Sequence, residues 1–281
     1  MQSRVQEFAQ IRPIELTIDA LGYASASILF SQGNTKVLVS VSLQPGVPPF
    51  LKGQQVGWLS AEYAMLPCAT QQRTQRESSA QQRNARSVEI SRLVGRCLRT
   101  SVDLAVLKER SITIDCDVLQ ADGGTRVACL TAASIALEIA YRRWVVQGIV
   151  DTRFFKERLA AISVGRVNGA NKLDLSFEDD SMADADFNFV ITESDKLIEV
   201  QGTAEKQALA WEHFDEMKAL AQSGVKQLFD VCQKQLAALP VYQELCERYD
   251  AAMQKRHFSS NSVKSDNKPS PFSIANRVSK S

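Results

Sequence analysis

The sequence predicts an α+β fold of two similar halves, with antiparallel-rich mixed sheets and packed helices. Three observations carry that expectation. Short runs that alternate apolar and polar residues recur in both halves, as strands with one buried face do. Each half carries an early tight-turn pair, Gly33-Asn34 and then Asn168-Gly169. Each half then ends on a long helical stretch, Val127–Tyr141 in the first and Glu205–Leu239 in the second. The repeated order of strands followed by a helix points to duplicated βαβ-type halves.

In chain order, residues 1–10 are polar and read as a flexible N-terminus. Glu15–Asp19 and Ala24–Phe30 alternate, Gly33-Asn34 turns the chain, and Thr35–Leu43 continues, which makes an antiparallel meander. Pro45–Gly53 is a Pro/Gly loop, and Gly57–Pro67 is a strand that ends at its proline. Residues 68–87 hold few apolar side chains, so burial cannot offset the entropy of ordering them and a mobile loop is expected. Ser87–Asp103 is an amphipathic helix, with Ile90, Leu93, Val94, Cys97 and Leu98 on one side and Glu89, Arg92, Arg96 and Arg99 on another.

The centre of the chain is a strand, a glycine turn and a helix. Ser111–Ile114 alternates, Gly123-Gly124 turns, and the Ala/Leu/Ile-rich stretch from Val127 to Tyr141 is a buried helix. In the second half, Leu159–Val167 and Lys172–Phe177 form a hairpin about Asn168-Gly169, and Phe187–Thr192 pairs with Lys196–Thr203. Glu205–Leu239 is helical until Pro240, a short helix reaches about Arg248, and the Ser/Asn/Lys/Pro-rich stretch from Ser259 to Ser281 reads as a tail. The expected organisation is therefore a flexible segment over 1–10, one folded domain over 11–240 and a mostly disordered extension over 241–281.

Composition narrows the class. The chain has 281 residues, 44% hydrophobic content and a net charge of +1, so any polyanion site must come from local charge. No apolar run reaches the length of a membrane span, and Met1–Glu7 has no apolar signal core. The six cysteines are scattered with no CxxC pair, which fits a reducing, cytoplasmic setting and no zinc site. With only His213 and His257 present, a histidine triad or histidine-rich metal centre is disfavoured, and His213 reads as a surface or capping residue.

Three polar features remain. From Arg73 to Arg99 there are seven arginines, no lysine and only the acids Glu77 and Glu89, a local charge of +5. Guanidinium forks suit phosphate oxygens. Gly124-Thr125-Arg126 opens a helix, where free N–H groups and the helix dipole favour an anion; the alternative is a plain turn with Thr125 as N-cap. The third feature is an acidic cluster of Glu178, Asp179, Asp180, Asp184 and Asp186. Anion holders beside carboxylates suit phosphoryl transfer with a divalent cation. Asp180 and Asp186 are six apart, which is neither one helix face nor adjacent turns, so they converge only if the chain bends between them.

Five motifs, in order, carry a resemblance: Val47-Pro48-Pro49-Phe50-Leu51-Lys52-Gly53, Ala61-Glu62-Tyr63-Ala64-Met65-Leu66-Pro67, Glu89-Ile90-Ser91-Arg92-Leu93-Val94-Gly95-Arg96, the run from Asp115 to Arg126, and Glu199-Val200-Gln201-Gly202-Thr203-Ala204-Glu205. From about Ile11 to about Val231 the chain resembles the ribonuclease PH family of phosphorolytic tRNA 3′ exoribonucleases. The resemblance implies a fold like the second domain of ribosomal protein S5. It implies a tRNA nucleotidyltransferase reaction in which inorganic phosphate attacks the last phosphodiester of an RNA 3′ end and releases a nucleoside diphosphate. Arg86, Gly124, Thr125 and Arg126 would hold that phosphate. Asp180 and Asp186 would hold Mg²⁺ and assist protonation of the leaving 3′ oxygen. Arg73 and Arg76 would contact RNA across a subunit interface, and Arg92, Arg96 and Arg99 would extend that basic surface. The implied partners are tRNA precursor 3′ ends and further copies of the chain in a homohexamer, a trimer of dimers, with no membrane.

The chain departs from the family at several positions. Cys68 stands where the family has arginine, Ser176 replaces an acidic residue, Ser3-Arg4 is all that remains of a Gly-Arg start, and Lys206-Gln207-Ala208-Leu209 lacks the usual Pro-Phe. None of these is a phosphate-holding residue or either aspartate. A non-catalytic RNA-binding ring subunit is the competing reading, and it requires that those residues be lost. A small-metabolite phosphate enzyme has no Walker motif to support it.

Overall fold

The computed structural model describes residues 8–77 and 84–265. The expected flexible N-terminus up to residue 7, Arg83 of the arginine series, and residues 266–281 of the expected tail lie outside these. The first half is a five-stranded sheet built from β1 (Ile14–Ile18), β2 (Ala26–Gln32), β3 (Thr35–Pro45), β4 (Trp58–Met65) and β5 (Arg110–Gln120). Its order is β1-β2-β3-β5-β4. The meander pairs antiparallel as expected, Leu16 opposite Phe30 and Phe30 opposite Val37. β4 runs parallel to β5, with Tyr63 beside Cys116. A parallel neighbour needs a crossover, supplied here by α1 (Ala85–Thr100) and the short α2 (Leu104–Leu107). β5 is longer than the predicted Ser111–Ile114, because Asp115 and Asp117 continue the alternation with Ile114, Cys116 and Val118 buried between them.

The second half is a four-stranded antiparallel sheet of order β7-β6-β8-β9. Its strands are β6 (Leu159–Val167), β7 (Ala170–Leu173), β8 (Ala185–Thr192) and β9 (Leu197–Ala204). Between the sheets lies α3 (Thr125–Val146), which contacts β2 and β3 on one side and β6 on the other. A helix covered from both sides needs apolar or small residues all round, which is why Ala, Leu, Ile, Val, Cys, Ser and Thr occur on every side of it and it is not amphipathic.

Further elements differ from expectation. The predicted strand Lys172–Phe177 stops at Leu173. Asp174 then takes a left-handed conformation (φ 56°), and Ser176 caps a new helix, α4 (Phe177–Met182). The cap is a full capping box, with the Ser176 side chain on the Asp179 N–H and the Asp179 carboxylate on the Ser176 N–H. Glu178, Asp179 and Asp180 of the acidic cluster therefore open a helix, where their charge suits the dipole, while Asp184 follows it and Asp186 lies on β8. The next helix, α5, covers Trp211–Ala237 and starts later than the predicted Glu205. It packs on β6 and β7 through Met217, Ala221, Val225 and Leu228 and also closes the free edge of β1. There Gln235 Nε2 donates to the Ile14 carbonyl at 2.6 Å and Gln235 Oε1 accepts from the Leu16 N–H at 3.1 Å.

The last helix, α6, runs Pro240–Ser265, well past the predicted end at Arg248 and into the predicted tail. Tyr242, Leu245, Tyr249 and Met253 recur at helical spacing and lay it along the core, against α3. Charged residues interleave with these positions. At the other end, residues 8–10 are not loose: the Ala9 carbonyl accepts from Gln227 at 3.0 Å.

Candidate active site

The turn between β5 and α3 is held from several sides. Gly123 (φ 74°) and Gly124 (φ 64°) are both left-handed. A Cβ on Gly123 would lie 2.5 Å from the Leu175 carbonyl oxygen, so the close approach admits only glycine. Thr35 Oγ1 donates to the Gly123 carbonyl at 2.6 Å and accepts from the Asp122 N–H at 3.0 Å. Arg12 donates to the Asp122 carbonyl at 2.6 Å and to Asp174 Oδ1 at 2.8 Å, while its own N–H donates to Asp174 Oδ2 at 2.7 Å. Asp174 is buried, so this ion pair ties the turn to the second sheet.

Thr125 is not the N-cap. Gly124 occupies that position, and no side chain caps the helix. The Thr125 hydroxyl is instead 2.9 Å from the buried Tyr63 hydroxyl. The first N–H groups of α3 are thus left for an outside acceptor, at the positive end of a 22-residue helix.

A cleft of about 330 Å³ opens there. It is lined by Arg86, Gly124, Thr125, Arg126, Ser163, Leu175, Asp180, Ser181, Asp186, Asn188 and Glu205. All six residues singled out for phosphate and metal chemistry are in this one wall set. Asp180 and Asp186 converge because the chain turns between α4 and β8, the bend their six-residue spacing required. Burial pushes both carboxyls above the ordinary range. Arg86 opposes the shift at Asp180, while Asp180 and Glu205 add to it at Asp186. Ser163, Ser181, Asn188 and Glu205 were not singled out. Ser163 and Asn188 are register partners on β6 and β8 and could not be placed without that pairing.

The arginines of α1 do not form a uniform outward row. Arg96 makes a two-pronged ion pair with Glu199 on β9, one prong at 2.9 Å. Arg99 stacks 4.7 Å over Trp58 and donates to the Leu59 carbonyl at 3.0 Å. Arg92 has no intramolecular acceptor among the described residues. It opens on a groove of about 720 Å³ between α1 and the β4–β5 edge, whose walls also carry Glu62, Asp115 and Asp117. Arg73 and Arg76 are exposed, in the segment that precedes α1. Among the described residues, no group of three or more His, Cys, Asp or Glu side chains is arranged to hold a metal by itself, and no helix is long and apolar enough to cross a membrane. All six cysteines are free thiols, four of them buried.

A duplicated two-sheet fold with its cleft at the seam of the halves defines the class, that of the 3′ exoribonuclease family. The family's models for domain 1 and domain 2 match residues 10–142 and 158–224. Arg86 and Arg126 fall in the first, Asp180 and Asp186 in the second. Ribonuclease PH of Neisseria meningitidis serogroup C (strain FAM18) is 46% identical over 228 residues, covering 81% of this chain and 94% of that protein. Ribonuclease PH of the serogroup A strain Z2491 matches to the same extent. The chain belongs to the ribonuclease PH family. Two solved structures show the same fold at low identity. One is the Archaeoglobus fulgidus exosome with RNA bound to the active site, at 21% identity and TM-score 0.66 over 82% of this chain and 94% of that one. The other is rice Rrp46, at 18% and 0.63 over 79% and 94%.

Proposed function

We propose that this chain is a phosphorolytic 3′-to-5′ exoribonuclease, a tRNA nucleotidyltransferase that trims tRNA precursor 3′ ends and releases nucleoside diphosphates. The observation that carries this reading is the single cleft in which an uncapped helix start, Arg86 and Arg126 face Asp180 and Asp186. The N–H groups after Gly124 and the two guanidiniums hold the oxygens of the attacking phosphate, fixing it for in-line attack on the terminal phosphorus. Their charge also takes up the negative charge that builds on the phosphoryl oxygens. A carboxyl kept protonated to higher pH by burial, at Asp180 or Asp186, is placed to pass a proton to the departing 3′ oxygen.

The donor set fits Mg²⁺. This cation commonly binds through one or two carboxylates plus substrate phosphates, so two adjacent aspartates suffice without a third protein ligand. Asp180 and Asp186 would hold it, and when bound it would supply charge neutralisation between the phosphates. RNA contacts fall to Arg73, Arg76 and Arg92, whereas Arg96 and Arg99 are engaged within the chain. The domain that does this work spans 11–240, in a cytoplasmic protein that assembles as a homohexamer, a trimer of dimers.

Digestion of a tRNA bearing a 3′ extension, with Mg²⁺ and with or without inorganic phosphate, tests the reading. Nucleoside diphosphate released only with phosphate is expected. Monophosphate released without phosphate would overturn it.

A further inference from the structure

Arg126 reaches its place in the cleft through a chain of hydrogen bonds that crosses from one half of the fold to the other. Its Nη1 donates to Gln201 Oε1 at 3.1 Å and to Glu89 Oε1 at 3.2 Å. Gln201 Nε2 in turn donates to Glu199 Oε1 at 3.1 Å. Glu199 is anchored by the two-pronged pair with Arg96 and also accepts from the Cys97 thiol at 3.4 Å. Glu199 has no hydrogen to give, so the Gln201 amide can face it only with its nitrogen. The amide oxygen is thereby left pointing at Arg126. Both hydrogens of Arg126 Nη1 are used by these two acceptors. The Nε and Nη2 edge has no acceptor among the described residues and is the edge left for an anion in the cleft.

We infer that Gln201 is a positioning residue for phosphate: it sets the Arg126 guanidinium with a neutral acceptor, so that among the described residues the one carboxylate bonded to it is the half-exposed Glu89. A carboxylate at position 201 would hold the same nitrogen but compete with phosphate for the charge. A methionine there would fill the space and hold nothing. Glu89 cannot substitute, because its side chain is half exposed and sits on α1 rather than on the sheet. This inference rests on the phosphate role proposed for Arg126.

The test compares the full-length wild type with Gln201→Met and Gln201→Glu. Three quantities are read: the dissociation constant for inorganic phosphate by calorimetry, KM for phosphate against kcat in phosphorolysis, and the melting temperature. For Gln201→Met, phosphate affinity and KM should weaken roughly tenfold, the order expected for one lost hydrogen bond to a charged group, with kcat changed much less. Gln201→Glu keeps an acceptor for Arg126 Nη1 but sets an oxygen against Glu199 where the amide nitrogen donates, so neither the melting temperature nor phosphate affinity should return to wild type, and the KM-against-kcat split in Gln201→Met is what separates positioning from scaffolding. Unchanged phosphate affinity in Gln201→Met, or full affinity in Gln201→Glu, would overturn the inference. A wild type that binds phosphate yet releases no diphosphate would refute the proposed reaction and still leave the calorimetric comparison decisive for Gln201. A wild type that binds no phosphate would overturn both.

Discussion

The Tyr63 hydroxyl meets Thr125 Oγ1 at 2.9 Å, both side chains buried, and so joins the middle of β4 to the first residue of the central helix. Burial pushes the Tyr63 phenol up from 10.0 to about 12. The folded state therefore holds this proton to higher pH than the unfolded chain does. Its stabilising contribution is complete below pH 10 and is lost as pH rises from there through about 12. Tyr63→Phe should cost about 1–2 kcal/mol at pH 7, since it leaves the Thr125 hydroxyl without this partner. It should also remove that share of the alkaline loss. Urea unfolding at pH 7 and pH 11 measures both, and an undiminished alkaline loss in the variant would count against the assignment.

Asp174 anchors the glycine turn through Arg12 while holding a left-handed backbone. Asparagine tolerates that backbone and keeps one acceptor, so Asp174→Asn isolates the charge. Breaking a buried ion pair by removing one partner costs about 3 kcal/mol or more. The variant should unfold at correspondingly lower urea with an unchanged slope. A loss of only a few tenths would show that Arg12 finds another partner.

Arg126→Ala should abolish phosphate-dependent nucleotide release, by about a hundredfold or more, as removing a preorganised charge donor does. RNA binding should largely survive, because backbone contacts are shared among many cations. Filter binding of the extended tRNA beside a release assay reads the two separately. Equal loss of both would sink this division of labour.

The paired aspartates should trade stability for activity. Burial, first in both cases, raises their proton affinity in the fold above that in the unfolded chain. The folded state then carries more protons just above the ordinary carboxylate range, so stability falls as pH rises through that window. Asp180→Asn or Asp186→Asn removes the charge and should melt at or above the wild-type temperature at pH 7 without added Mg²⁺, although nucleotide release is lost. A lower melting temperature would show that the ionised pair is instead satisfied by its surroundings.

Strand and helix identity was legible wherever one face is buried, because alternation and helical spacing record burial directly. The meander of β1, β2 and β3, the apolar side of α1 and the Asn168-Gly169 hairpin are examples. The element α4 was legible in principle, since Ser176 and Asp179 spell a capping box, but acidic residues after a strand also describe a hairpin end. The long α6 was hidden, because its apolar positions gain meaning only once α3 is there to receive them.

For the site, the residue types were decided by the sequence: two arginines, a Gly-Gly helix start and two aspartates are local chemistry that five ordered motifs made specific. What only the tertiary structure decided is which of those groups face one another. Arg96 and Arg99 belong to the same arginine series as Arg92, yet Glu199 and Trp58, both distant in the chain, bind them back to the fold. Arg12 and Asp174 are 162 residues apart and hold the turn together. Pairing of this kind depends on which strands lie side by side and on what charge each burial must satisfy. A linear pattern records that a residue is buried or charged; its partner is fixed by the geometry of packing.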